Sequence, residues 1–244
     1  MNHIHNHNHN HNQNHESETF YTLILDNFFN DPNYVRKLGI ESANNKVKLK
    51  NTSNSYYRGK RSEHMSTLDI NIYKKIITTL GKLYLNSNFD VDYYQDIRCT
   101  CEFQLTDETW NVGWVHHDSC FVTSIIYLNP VAPPNTGTNL YVPKSSNITT
   151  QLHSEYHKKT NFSPELRNTE EYTKKHKENN DQFVETMSIQ NKYNRLISYF
   201  GCYWHCGANH FGNTNETSRL TIVTQIHDFG KSLVNRKTLP PLLG

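Results

Sequence analysis

His116 and Asp118 stand two residues apart in Trp114-Val115-His116-His117-Asp118, a stretch that reads as extended chain. Side chains alternate faces along a strand, so this imidazole and this carboxylate reach one surface, whereas a helix would splay the same spacing apart. A His-x-Asp pair alone is a weak signal in a chain with 15 histidines. It gains weight from a third donor, His205, in Tyr203-Trp204-His205-Cys206-Gly207, followed by a strand-like run opening Arg219-Leu220-Thr221. Two imidazoles and one carboxylate on one side of an ion leave its other side open, which suits oxygen-activating non-haem Fe(II). The same donors could hold Zn(II) and activate a water for hydrolysis. They could also belong to a cupin-like binding module without turnover.

These residues need a scaffold that brings His205 to His116 and Asp118 across a long separation. The pattern around Phe20-Tyr21-Thr22-Leu23-Ile24-Leu25 is β-type, and Asp31 with Pro32 forms an N-cap and first helical position for a helix through Val35 and Leu38. Ile72, Ile76, Leu80 and Leu83 recur at helical spacing and predict a second helix over 68–85. From Asp96 the pattern turns to β, with strands expected over 97–105, 112–118, 121–128 and 138–142. Residues 145–190 are charged and read as mostly helix or loop, an insertion with few apolar anchors. Strand character resumes over 195–200, around 203–205 and over 219–226. Many short strands with little helix between them point to a sandwich or jelly roll, mainly β with the helices packed outside.

The chain has 244 residues, enough for one large β-rich domain over 18–244. Residues 1–17 alternate His and Asn and read as a disordered tail. A net charge of +2, from 25 basic and 23 acidic residues, gives no support to a nucleic-acid partner or a membrane surface. No run approaches the roughly 18 apolar residues of a membrane span, and no apolar signal core opens the chain, so a soluble cytoplasmic protein is expected. Cys99, Cys101, Cys120, Cys202 and Cys206 are odd in number and lie in expected core strands, which favours free thiols over disulfides. No sequence feature specifies an oligomeric state.

The ordered series Ile97-Arg98, 114–118, Ser124-Ile125-Ile126-Tyr127-Leu128-Asn129, Gly137-Thr138-Asn139-Leu140-Tyr141, Asn194-Arg195-Leu196-Ile197, the His205 region and Arg219-Leu220-Thr221 resembles the 2-oxoglutarate- and Fe(II)-dependent oxygenase superfamily. Within it, the series is most similar to the prolyl-hydroxylase-like branch. The resemblance covers about residues 97–227, with weaker likeness in Asp26-Asn27-Phe28-Phe29 and Tyr57-Arg58-Gly59-Lys60-Arg61. It implies a double-stranded β-helix, the jelly roll, with Fe(II) on His116, Asp118 and His205. It further implies that Arg219 and Thr221 hold the far carboxylate of 2-oxoglutarate, a task suited to a guanidinium fork. The implied activity is hydroxylation of a small-molecule or peptide substrate, with release of succinate and carbon dioxide.

Several positions stay open at this level. His205 and His210 both compete for the third ligand place. His205 is favoured by its interval from Asn194-Arg195-Leu196-Ile197, and the extra residues before Arg219 are expected to loop at the site mouth. His117 points to the opposite face of a regular strand. Tyr127 can offer its phenol to the co-substrate or simply pack. Tyr141 and Arg98 are weaker candidates for the pocket, and His227 reads as structural or exposed. The 56–61 segment and the 145–190 insertion are the expected variable walls.

Overall fold

The computed structural model describes residues 20–44, 59–85, 89, 96–110, 113–145, 148 and 169–230. The His/Asn tail, the expected strand start at 112, the Tyr56-Tyr57-Arg58 part of the basic segment and the 149–168 part of the insertion lie outside the described residues.

Among the described residues, nine strands form two antiparallel sheets. They are β1 (Thr22–Leu25), β2 (Lys60–Arg61), β3 (Arg98–Thr106), β4 (Val122–Tyr127), β5 (Thr138–Pro143), β6 (Phe183–Ile189), β7 (Arg195–Phe200), β8 (Trp204–Gly207) and β9 (Arg219–Asp228). The larger sheet runs β1-β7-β4-β9-β3-β2 and the smaller runs β6-β5-β8. Helices α1 (Pro32–Asn44), α2 (Met65–Leu68), α3 (Ile70–Tyr84) and α4 (Glu170–Asn180), with a 3-10 turn over Glu108–Trp110, complete the described elements.

Strand β4 explains the layering. All six of its residues, VTSIIY, are buried, so both of its faces are covered. Val122 and Ile126 join Phe103, Leu196, Leu220 and Ile222 in a core completed by Val35 of α1 and Ile72, Ile76, Ile77 and Leu80 of α3. Ile125 and Tyr127, on the other face, meet Ile197 and Tyr199 of β7 and Leu140 and Ile189 of the smaller sheet. The helices therefore back the larger sheet, and its opposite face looks across at the smaller one. A third cluster of Val115, Phe183, Trp204 and Cys206 lies around the smaller sheet, with Tyr141 packed against it.

Four details refine the sequence reading. The helix expected over 68–85 is α3, which starts at Ile70 because Asp69 accepts from the amides of Asn71 and Ile72 and caps it, with the short α2 set off before it. The expected 112–118 strand is reduced, among its described residues, to an isolated bridge between His116 and His205. The 145–190 segment is not merely helix and loop, since its last residues form β6. Exposure alternates poorly along that edge strand, whose centre is largely solvent-facing, so its polar letters hid it. Finally, the helix of the insertion, α4, runs directly into β6. The described cysteines are all free thiols.

One ion-pair cluster anchors β1 to β7. Asp26 accepts from Arg195 Nε at 2.7 Å and Nη2 at 3.1 Å, and from Lys192 Nζ at 2.7 Å. The Arg195 bonds, then that of Lys192, hold its carboxyl well below the usual range. A carboxyl depressed in the folded state stabilises above its unfolded pKa of about 4 and loses that contribution as the pH falls toward the folded value. Asp26→Asn is expected to cost about 1 kcal/mol or less at pH 7, as the pair is partly solvent-screened. Urea unfolding of both chains should show that difference shrinking as the pH drops below about 4.

Candidate metal centre

The chain segment before β4 runs antiparallel to β8. His116 N donates to His205 O at 3.0 Å and His205 N to His116 O at 2.7 Å, so the two histidines oppose each other directly. Their rings lie 4.5 Å apart between centroids. Asp118 is fixed by its own amide, which donates to Gly201 O at 2.7 Å. That approach needs glycine: a Cβ on Gly201 would lie 2.3 Å from Cys120 O.

One donor atom each from His116, Asp118 and His205 falls within 4.8 Å of the others, the only such His/Cys/Asp/Glu group of three or more among the described residues. His116 Nε2 is 3.7 Å from Asp118 Oδ1, and His205 Nε2 is 3.4 Å from Asp118 Oδ2. Each imidazole has its Nδ1 within 2.7 or 2.8 Å of a backbone carbonyl, Trp114 O for His116 and Tyr203 O for His205. A carbonyl only accepts, so both Nδ1 atoms carry the proton and both Nε2 atoms face the carboxylate. Asp118 Oδ2 also accepts from Thr123 Oγ1 at 2.6 Å. Burial opposes ionisation of Asp118, but the charge and hydrogen bond of His205, then His116 and Thr123, prevail and hold it well below the ordinary carboxylate range.

Three acceptors converging in a buried place require positive charge among them. A divalent cation held by the three atoms would supply it. The backbone carbonyls behind both imidazoles and the Thr123 hydroxyl behind the carboxylate are the outer support that metal ligands ordinarily have. His116 keeps 30% side-chain exposure against 6% for His205, so one side of the cluster is open.

Arg219, Thr221 and Tyr127 come together further along the same inner face. Tyr127 of β4 opposes Thr221 of β9, and Arg219 lies two residues before it. The Arg219 guanidinium sits 5.6 Å from the Tyr127 ring centroid and is only 5% exposed. It donates to Thr136 O at 3.2 Å and Gly137 O at 3.5 Å, and no carboxylate among the described residues pairs with it. Tyr127 Oη meets Thr138 Oγ1 at 2.7 Å, and the Thr221 hydroxyl reaches Gln104 O at 3.5 Å.

Tyr199 is the residue that sequence reasoning missed. Its ring is 4.9 Å from that of His205, and its buried hydroxyl finds no hydrogen-bond partner among the described residues. Burial, then the nearby Asp118 and Tyr127, push its pKa well up, so it stands as a neutral donor. Only its place on the inner face of β7, opposite Thr123, could have flagged it.

The other candidates fall elsewhere. His210 bonds Thr106 Oγ1 through Nδ1 at 2.7 Å, beside Arg219 rather than in the three-residue cluster. Burial and the Arg219 charge lower its pKa well below 6.5. The loop it belongs to crosses the Arg219 end, where Arg219 N donates to Phe211 O at 3.2 Å. His117 turns away from the cluster to meet Trp204 edge-on at 5.0 Å. Tyr141 bonds Cys206 Sγ at 3.4 Å in the third apolar cluster rather than the inner face, and Arg98 is exposed. His227 Nδ1 contacts Ser119 O at 3.1 Å, a structural link.

Residues 6–226 match the profile of a family of unknown function, DUF6445. The chain belongs to this family. No curated protein matches the DUF6445 chain. Among solved structures it is similar to EvdMO1, with a TM-score of 0.50 and 12% identity over 86% of this chain and 48% of that one. A Pseudomonas putida prolyl-4-hydroxylase gives a TM-score of 0.45 at 12% identity, covering 87% and 95% of the two chains. HygX from Streptomyces hygroscopicus, solved with nickel and 2-oxoglutarate, gives 0.47 at 11% identity, covering 86% and 84%. Likeness at this level concerns the fold alone. Among the described residues, no helix is long and apolar enough to cross a membrane.

Proposed function

We propose that this DUF6445 chain is an Fe(II)- and 2-oxoglutarate-dependent dioxygenase that hydroxylates a small molecule or peptide. Its core is then the double-stranded β-helix, folded as one domain. The strand order supports this: β3-β9-β4-β7 forms one face, and the 113–116 segment, β8, β5 and β6 form the other. The observation that carries the functional reading is the pairing of a two-histidine, one-carboxylate cluster with a buried arginine that has no carboxylate partner among the described residues, both facing the interior between the sheets.

His116, Asp118 and His205 would hold the iron through the two Nε2 atoms and a carboxylate oxygen. Iron held there with 2-oxoglutarate would supply the reaction with dioxygen, one oxygen atom entering succinate as carbon dioxide leaves and the other entering a substrate C–H bond. Arg219 would offer the far carboxylate two parallel N–H donors, and its burial with no carboxylate partner among the described residues favours an anionic ligand there. Tyr127 and Thr221 flank that position. The Tyr199 hydroxyl, opposite Thr123 and without a hydrogen-bond partner among the described residues, can donate to an oxygen of the same diacid. Thr123, which touches Asp118, and Tyr127, which touches Arg219, are four residues apart on β4, about 13 Å between Cα atoms. A five-carbon diacid and the side chains at each end close that span.

A zinc hydrolase would use the same cluster but leave Arg219 a buried cation with no task. A binding module would keep the site without turnover. The protein reconstituted with Fe(II) should release succinate from 2-oxoglutarate in air, slowly even without the true substrate and not when iron is withheld. Absence of succinate, together with Zn(II)-dependent ester cleavage, would favour the hydrolase.

A further inference from the structure

The segment that carries His116 is the edge of the smaller sheet. On one side it pairs with β8 through the reciprocal His116 and His205 amides and through Gly113 N, which donates to Gly207 O at 2.9 Å. The fit there is close, since a Cβ on Gly113 would lie 2.7 Å from Gly207 O. On the other side no strand follows among the described residues, yet Val115 is fully buried. Its amide and carbonyl, with the Gly113 carbonyl, would go unsatisfied in an apolar place, which costs about 1–3 kcal/mol for each group.

Two side chains at the C-terminal end of α4 take those positions. Val115 N donates to Asn180 Oδ1 at 2.9 Å, Asn179 Nδ2 donates to Val115 O at 3.1 Å, and Asn180 Nδ2 donates to Gly113 O at 3.0 Å. Asn179 Nδ2 also donates to Asn180 Oδ1 at 2.9 Å, tying the two amides together, and Asn179 is fully buried. Donor and acceptor alternate as on a neighbouring strand. Trp114, between the two clamped residues, supplies the carbonyl that fixes the His116 tautomer. Its indole packs on α4 at 5.7 Å from the His176 ring and 6.3 Å from the Tyr172 ring.

We propose that Asn179 and Asn180 form a surrogate strand that positions His116 as a metal ligand, so that metal affinity depends on the seating of α4. This rests on the metal reading of the cluster. The amides touch neither the metal nor the substrate; they hold the backbone and the carbonyl on which the ligand's direction depends.

The test uses the full chain, Co(II) as the probe metal and two variants. Asn180→Asp keeps size and the acceptor for Val115 N but replaces the donor to Gly113 O with a repelling oxygen. Asn179→Leu removes the donor to Val115 O. Co(II) titration followed by visible absorption, with thermal unfolding in the presence and absence of Co(II), separates positioning from simple support of the fold. Both variants should bind Co(II) about 10- to 100-fold more weakly than the parent, with a changed ligand-field spectrum and a smaller metal-induced rise in Tm. A lower metal-free Tm with parental affinity and spectrum would overturn the assignment and leave the metal reading standing. If Asn179→Leu does not fold, Asn180→Asp decides. Failure of the unsubstituted chain to bind Co(II) would overturn both.

Discussion

Asp118→Ala is expected to abolish stoichiometric Fe(II) or Mn(II) binding in anaerobic calorimetry, and Asp118→Asn to do the same. The carboxylate is the one anionic donor of the cluster, and it faces both Nε2 atoms at 3.4 and 3.7 Å. Without it two neutral imidazoles remain, and the loss exceeds the roughly 10- to 100-fold that removing an outer support costs. The asparagine variant is the stricter test, because it keeps the side chain's size and its place beside Thr123 Oγ1. Circular dichroism should show both variants folded, since the charge they remove is buried and opposed by desolvation. One metal ion per chain retained by either variant would refute the ligand assignment.

Arg219→Gln is expected to raise the 2-oxoglutarate concentration needed for succinate release by about 100-fold or more, with iron affinity left near the parental value. Breaking a buried charge pair from one side typically costs about 3–5 kcal/mol, and the far carboxylate would lose its one cationic partner. The glutamine can still donate toward Thr136 O and Gly137 O, the carbonyls the guanidinium now holds. Co-substrate dependence that does not change would move the diacid site elsewhere on the inner face. A parallel fall in iron affinity would instead show that Arg219 supports the fold of the cluster.

The two predictions draw on different depths of the sequence. His116 and Asp118 were legible because period-two alternation is a local rule that holds for any extended segment, even one reduced to a single bridge. His205 was legible from its motif context, but its preference over His210 needed the register that sets it opposite His116. Tyr199 was not legible, because a strand tyrosine is ordinarily packing and only its unpartnered hydroxyl sets it apart. Strand β6 was hidden because an exposed edge carries polar letters. Asn179 and Asn180 look like the polar end of a surface helix until their bonds to Gly113 and Val115 are seen.

The sequence alone determined the chemical identity of the donors, the mainly β pattern, the Asp31-Pro32 helix start and the common face of each i, i+2 pair. Those properties depend on neighbours in the chain and on fixed backbone periods. Only the tertiary structure decided which distant histidine meets Asp118, which arginine is buried with no carboxylate partner among the described residues, and which amides bond the backbone of Gly113 and Val115. These are matters of contact between segments far apart in the chain, and they are fixed when two sheets close over a shared interior, where every unsatisfied charge or amide must find a partner.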